Sequence, residues 1–197
     1  MRVILASSSP YRQAQLKQIG LPFSVEKPQV DEEPMQKEKL PPSEIAGRLA
    51  ALKGQTVADR FPQALVIAGD QVAHFEGSIL TKAGDATQAC AQLARLSGRK
   101  HALSTAIWVR HPEKGIKTHL DETEIEFFPL SESEIRSYVE HDKPFDCVGA
   151  YKIERRGLAL VKSIRSEDQS AIVGIPLIAL CRILREWGLP LPFNWQP

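Results

Sequence analysis

Residues 1–20 read MRVILASSSPYRQAQLKQIG, and the order of residue types in that stretch decides the fold class. Arg2 to Ala6 holds a short apolar run that suits a buried strand. Ser7, Ser8 and Ser9 break the run, and Pro10 follows. Serine is a favoured helix N-cap and proline is pre-organised for the first helical position, so Ser9-Pro10 reads as a helix start. Tyr11 to Ile19 continues with a helical pattern that Gly20 closes. The chain thus opens as strand, tight polar loop and helix. The opening apolar run is too short for a signal peptide, so none is expected.

The same alternation extends outward. Leu21 to Val25 suits a second short strand, and Lys27 to Pro42, with prolines at 28, 34, 41 and 42, reads as a long loop. Ser43 is positioned to cap a helix reaching about Arg60, with Ile45, Ala46, Leu49, Leu52 and Val57 as its apolar face. ALVIAGDQV, 64–72, reads as a buried strand with Asp70 near its end. Asp85 to Leu96 reads as a helix stopped by Ser97-Gly98. Lys100–Arg110 and Gly115–Phe128 are two extended segments; Ile125 and Phe127 alternate with Glu124 and Glu126, the pattern of a half-exposed strand. Ser131 and Glu134 form a capping-box signature for a helix to about Glu140. Leu158 to Ile164 suits a strand, and Gly174-Ile175-Pro176 opens a last helix to Trp187. Interleaved strands and helices predict an α/β fold. The paired segments at 100–128 predict a mixed sheet.

Composition narrows the function classes. A length of 197 residues suits one domain, 1–197. Twenty-five basic against 24 acidic residues, a net charge of +1, excludes a strongly basic nucleic-acid binder and an acidic tail. No run approaches the roughly 20 apolar residues of a membrane span. Cys90, Cys147 and Cys181 have neither disulfide-framework nor zinc-knuckle spacing, and the five histidines show no HExxH pattern.

Five stretches carry candidate chemistry. In ASSSPYR, free backbone N–H groups, hydroxyls and Arg12 could converge on phosphate; a plain helix cap explains the same serines. Asp70 in AGDQV could hold Mg²⁺ or accept a proton from water, or be a satisfied turn residue. Asp31-Glu32-Glu33 offers carboxylates for Mg²⁺ or Mn²⁺, or is a solvated acidic run. Lys53 and Lys82 could neutralise phosphate, or be surface lysines. VGAYKIERRG, 148–157, sets Gly149 ahead of an aromatic and a Glu, which suits a tight backbone approach or an ordinary turn-strand junction.

Together these pieces resemble the Maf family of nucleotide pyrophosphatases. The resemblance spans nearly the whole chain, through ILASSSPYR at 4–12, VDE at 30–32, RLAALK at 48–53, GDQ at 69–71, LTK at 80–82, LSG at 96–98, VGAYKIE at 148–154 and VGIPL at 173–177. It implies an α/β fold with an elongated mixed sheet, flanking helices and two lobes around a central cleft. It implies hydrolysis of a nucleoside triphosphate to a monophosphate and pyrophosphate with a divalent cation, Mg²⁺ or Mn²⁺, in the cytoplasm. Members often dimerise, and neither nucleic acid nor membrane is an expected partner. By resemblance Asp70 matches the proton acceptor and, with Glu32, the metal positions. Ser7, Arg12, Lys53 and Lys82 match phosphate and substrate positions. Tyr11, Gln71 and Glu154 match base-selectivity positions, and their identities resemble the 7-methyl-GTP branch more than the UTP/dTTP branch.

That base preference has a physical reading. Guanine presents two adjacent donors, and an ionised carboxylate such as Glu154 accepts both. Methylation at N7 makes the base cationic, which favours an aromatic such as Tyr11 by about 0.5–2 kcal/mol. Three departures from the family pattern stand out. Ala83 replaces the usual proline, which predicts a less rigid loop. Arg155 replaces the usual glycine, and could pair with Glu154 or reach a phosphate. Tyr11 replaces the branch's more typical tryptophan.

Overall fold

Strands and helices alternate as expected: β1 (Val3–Leu5), α1 (Pro10–Gln18), β2 (Ser24–Val25), α2 (Glu33–Gln36), α3 (Pro42–Arg60), β3 (Leu65–Phe75), β4 (Ser78–Leu80), α4 (Ala86–Leu96), β5 (Lys100–His111), β6 (Gly115–Phe127), α5 (Glu132–Asp142), β7 (Val161–Arg165) and α6 (Leu177–Glu186). Two 3-10 turns, Arg156–Leu160 and Gln169–Val173, flank β7. The structure, a computed structural model, describes residues 1–36, 38 and 40–190. The strands hydrogen-bond in the order β2-β1-β3-β5-β6-β7, with β4 on β3. β1 runs parallel to β2 and β3, whereas β4 is antiparallel to β3 and β7 to β6, so the sheet is mixed.

The chain forms two compact units. The first takes Met1–Gln71, Thr105–Asp121 and the chain from Asp168 on. Its core sets Val3, Leu5, Leu65, Ile67, Ile107 and Val109 of the strands against Leu16 of α1 and Leu180, Ile183 and Leu184 of α6. At about 25 cal/mol per Å² of apolar surface removed from water, such burial is the main favourable term. The second unit takes Val72–Ser104 and Glu122–Glu167. There α4 packs on α5, and Phe127, Ile125, Leu93 and Leu96 are fully buried.

Several local expectations hold. Ser9 accepts from the Arg12 N–H with Pro10 in the first turn. Both bonds of the Ser131/Glu134 capping box form. Ile125 and Phe127 are buried between partly exposed glutamates.

Others are corrected. Ser43 does not cap α3; the cap is Pro41, because Pro42 with its fixed φ and missing N–H takes the first helical position and puts Ser43 inside. The buried stripe of α3 runs Ile45, Leu49, Lys53, Val57, leaving Leu52 38% exposed. β3 continues to Phe75, so Asp70 lies mid-strand; Glu76 and Gly77, both at positive φ, make the tight turn into β4. The Lys27–Pro42 loop contains α2, and the expected strand at Leu158 starts only at Val161.

Candidate active site

Ser7, Arg12, Glu32, Lys53 and Asp70 gather in the first unit. Asp70 is 6% exposed in the middle of β3. Lys53, projecting from the buried stripe of α3, donates to Asp70 Oδ1 at 2.5 Å and pairs with Glu32 Oε2 at 2.9 Å. One ammonium therefore bridges two carboxylates from separate segments. Burial pushes the Asp70 carboxyl above its usual range, opposed by the charges of Lys53 and Arg12. Burial likewise pulls the Arg12 guanidinium below its usual value, with Asp70 and Glu32 opposing.

Arg12 is held at both ends. Its Nε donates to the Gly174 carbonyl at 3.0 Å, and a terminal nitrogen reaches Ser7 Oγ at 3.5 Å. Ser7 Oγ also accepts from the Ser9 N–H at 3.2 Å. Both lone pairs of that hydroxyl are engaged, so its own O–H remains to donate. Gly174 sits at φ +129°, and a Cβ there would lie 3.1 Å from Arg12 Nε. Gly69, beside Asp70, completes the fit: a Cβ there would stand 3.2 Å from the Ala106 carbonyl and 3.7 Å from Arg12 Nε.

The segment 168–175 that supplies this carbonyl is itself gripped. The Gln15 amide donates to the Ser170 and Ile175 carbonyls at 2.7 and 3.0 Å. The Asp168 carboxylate accepts from the N–H groups of Ser170, Ile178 and Ala179. Gln71 joins in, donating to Thr105 Oγ1 at 3.0 Å and to the Ala171 and Ile172 carbonyls at 3.1 and 3.2 Å. Its amide hydrogens are thus spent within the unit. Tyr11 is half-buried in the first turn of α1.

The remaining expected residues, Lys82 and Glu154, belong to the second unit. Lys82 is exposed, and its backbone bridges Val148. The Gly84 N–H donates to the Phe145 carbonyl at 3.0 Å. The loop around Ala83 is therefore tied down on both sides, and the missing proline has backbone bonds in its place. Glu154 is exposed in a turn closed by the Lys152 carbonyl and the Arg155 N–H. Among the described residues Glu154 makes no hydrogen bond or ion pair, with Arg155 or any other.

Sequence reasoning missed Gly174, Gln15, Asp168 and Gly69 as supports. VGIPL was visible as a motif, but its contact with Arg12 spans 162 positions and has no local signature.

A divalent cation can be tested against these residues. Glu32 and Asp70 are hard oxygen donors brought to one point by Lys53. No group of three or more His, Cys, Asp or Glu side chains poised for a metal occurs among the described residues. Two carboxylates suit Mg²⁺, which commonly takes one or two with waters and substrate phosphates. Glu32 and Asp70 would hold it, and when bound it would neutralise phosphate charge.

Cations, a free hydroxyl and a buried carboxylate of raised basicity, assembled on an α/β fold, are the parts of a phosphoanhydride hydrolase. Residues 2–187 match the family described as Maf-like protein. A "7-methyl-GTP pyrophosphatase" of Xanthomonas oryzae pv. oryzae is 45% identical over 97% of this chain and 99% of its own. A "dTTP/UTP pyrophosphatase" of Symbiobacterium thermophilum is 40% identical over 96% of each. The Ham1 protein of Staphylococcus aureus, 17% identical, superposes with a TM-score of 0.52 over 95% of this chain and all of that one, which shows a shared fold. The chain belongs to the Maf-like family and is a nucleotide pyrophosphatase. No helix among the described residues is long and apolar enough to cross a membrane.

Proposed function

We propose that the enzyme hydrolyses 7-methyl-GTP to 7-methyl-GMP and pyrophosphate, as a cytoplasmic house-cleaning activity against modified nucleotides. The observation that carries the base preference is Glu154, an exposed carboxylate that pairs with no cation among the described residues. Two adjacent guanine donors match its two oxygens, and the positive charge of a 7-methylated ring is favoured beside it. Tyr11 supplies the stacking face. The 45% identical relative bears the same activity in its name. The second reading, dTTP or UTP, rests on the 40% identical relative.

Asp70 accepts a proton from the water that attacks the α-phosphorus. The bond from that phosphorus to the bridging oxygen breaks, and pyrophosphate leaves with the electron pair. Burial raises the Asp70 carboxyl and so strengthens it as a base, while the charges of Lys53 and Arg12 favour its ionised form. Arg12, Lys53 and Lys82 offset the charge on the phosphates, and the Ser7 hydroxyl donates to a phosphate oxygen. A metal held by Asp70 and Glu32 would add to that charge balance.

The test is pyrophosphate release with Mg²⁺ or Mn²⁺ from 7-methyl-GTP, GTP, UTP, dTTP and CTP. Highest kcat/KM on 7-methyl-GTP is expected, with D70N lowering it about 10²–10⁴-fold. Loss of the 7-methyl-GTP preference in E154Q supports the selector. Wild-type preference for UTP or dTTP overturns the substrate and keeps the reaction.

A further inference from the structure

Lys152 is 9% exposed and plays no part in the chemistry above. Its Nζ donates to the Lys143 carbonyl and pairs with Asp146 Oδ1, both at 3.2 Å. Its N–H donates to the Tyr138 hydroxyl at 2.8 Å, and its carbonyl accepts from the N–H groups of Arg155 and Gly157, each at 3.1 Å. A Cβ on Gly157 would stand 2.4 Å from that carbonyl, so the backbone here is fitted tightly.

These contacts join two candidate substrate residues. Through its backbone, Lys152 closes the turn that carries Glu154. Through its ammonium, it staples the 143–148 loop, whose Phe145 carbonyl and Val148 bridge tie down the Lys82 segment. The loop is strained as well as stapled: the non-glycine residues Lys143 and Ala150 sit at φ 45° and 58°. Such conformations persist only where the surroundings over-determine them, and they cluster at functional sites. A buried ammonium is costly, and a well-packed apolar side chain commonly serves stability as well or better. Its use here calls for a reason beyond stability.

The geometry points to Lys152 as a positioning residue that fixes the Lys82 loop against the Glu154 turn, so that phosphates and base are engaged together. The inference rests on the reading of Lys82 and Glu154 given under the proposed function. Lys152 touches neither group with its side chain and acts through the loop.

K152M, K152R and D146N, each alone and with K82A, test it on the nucleotide that the wild type turns over best. K152M raises KM about tenfold with a smaller change in kcat, because both ends of the substrate lose their fixed spacing. K152R restores most of that loss. D146N removes the partner from its solvent side, where the Asp146 side chain is 61% exposed, and shifts KM in the same direction. In the K82A background the K152M effect shrinks below about twofold, since coupled residues are not additive. If K82A is costly while K152M and D146N stay within twofold of wild type, or multiply independently with K82A, the positioning role is overturned. If K82A itself stays within twofold, the reading of Lys82 falls, and the inference with it.

Discussion

Lys53 Nζ and Asp70 Oδ1 lie 2.5 Å apart with both side chains only 8% exposed, an ion pair taken out of water in the middle of the first unit. Removing one partner of a buried pair leaves an uncompensated charge. K53M is therefore expected to cost about 3–5 kcal/mol in urea unfolding. It should also move the acid limb of the kcat/KM profile to higher pH. Lys53 opposes the burial that raises the Asp70 carboxyl, and without it that carboxyl rises further.

The Arg12–Gly174 contact predicts an effect on activity larger than on folding. G174A forces a Cβ to 3.1 Å from Arg12 Nε at a φ of +129° that L side chains rarely adopt. Arg12 is displaced from Ser7 and Asp70, and kcat/KM falls about 10–100-fold, consistent with misplacement of a charged clamp. Activity within threefold of wild type would show that Arg12 finds its place without the Gly174 carbonyl.

Two glycines on α3 predict opposite signs. Gly47 has nothing within 4 Å of an added Cβ, whereas on Gly54 that atom would lie 2.1 Å from Trp108 Cε3. G47A should stabilise by about 0.5–1 kcal/mol through helix propensity. G54A gains the same propensity but forces the indole aside, at about 1–3 kcal/mol for overpacking, and is expected to lower Tm.

His101 predicts the acid behaviour of the second unit. It is buried, with Nε2 3.0 Å from the Tyr151 hydroxyl and Nδ1 without a partner among the described residues. Burial lowers its pKa from 6.5 to about 4. The unfolded chain binds this proton below 6.5 and the folded protein only near 4, so the stabilisation is present above pH 6.5 and is lost as pH falls from 6.5 to 4. The full difference is about 3 kcal/mol. H101N should flatten stability against pH in that window. An unchanged slope would assign the acid sensitivity elsewhere.

Much of the fold was readable because its signals are local. Ser9-Pro10, Ser131 with Glu134, and the alternation at 124–127 each state their geometry within a few residues. The candidate residues Ser7, Arg12, Glu32, Lys53 and Asp70 were readable as a set, and the structure gathers them. What failed was finer. The Ile45–Leu49–Val57 spacing already puts Lys53 inward and Leu52 outward, but a lysine on an apolar stripe reads as a break rather than a buried cation. Pro42 outranked Ser43 because backbone constraint precedes side-chain capping. β3 runs on past Asp70 because Val72, Ala73 and Phe75 keep it in the core, whereas an acidic residue after an apolar run reads in sequence as a strand's end. Gly174 had no local signal, because its partner lies at the other end of the chain.

That last contact has a consequence for biosynthesis. Arg12 and the carbonyl that orients it are 162 positions apart. At about 5–20 residues per second, roughly 8–30 s separate their synthesis on the ribosome. A nascent chain holding Asp70, Lys53 and Arg12 still lacks the segment that aims Arg12, so turnover begins only after that segment has emerged and docked.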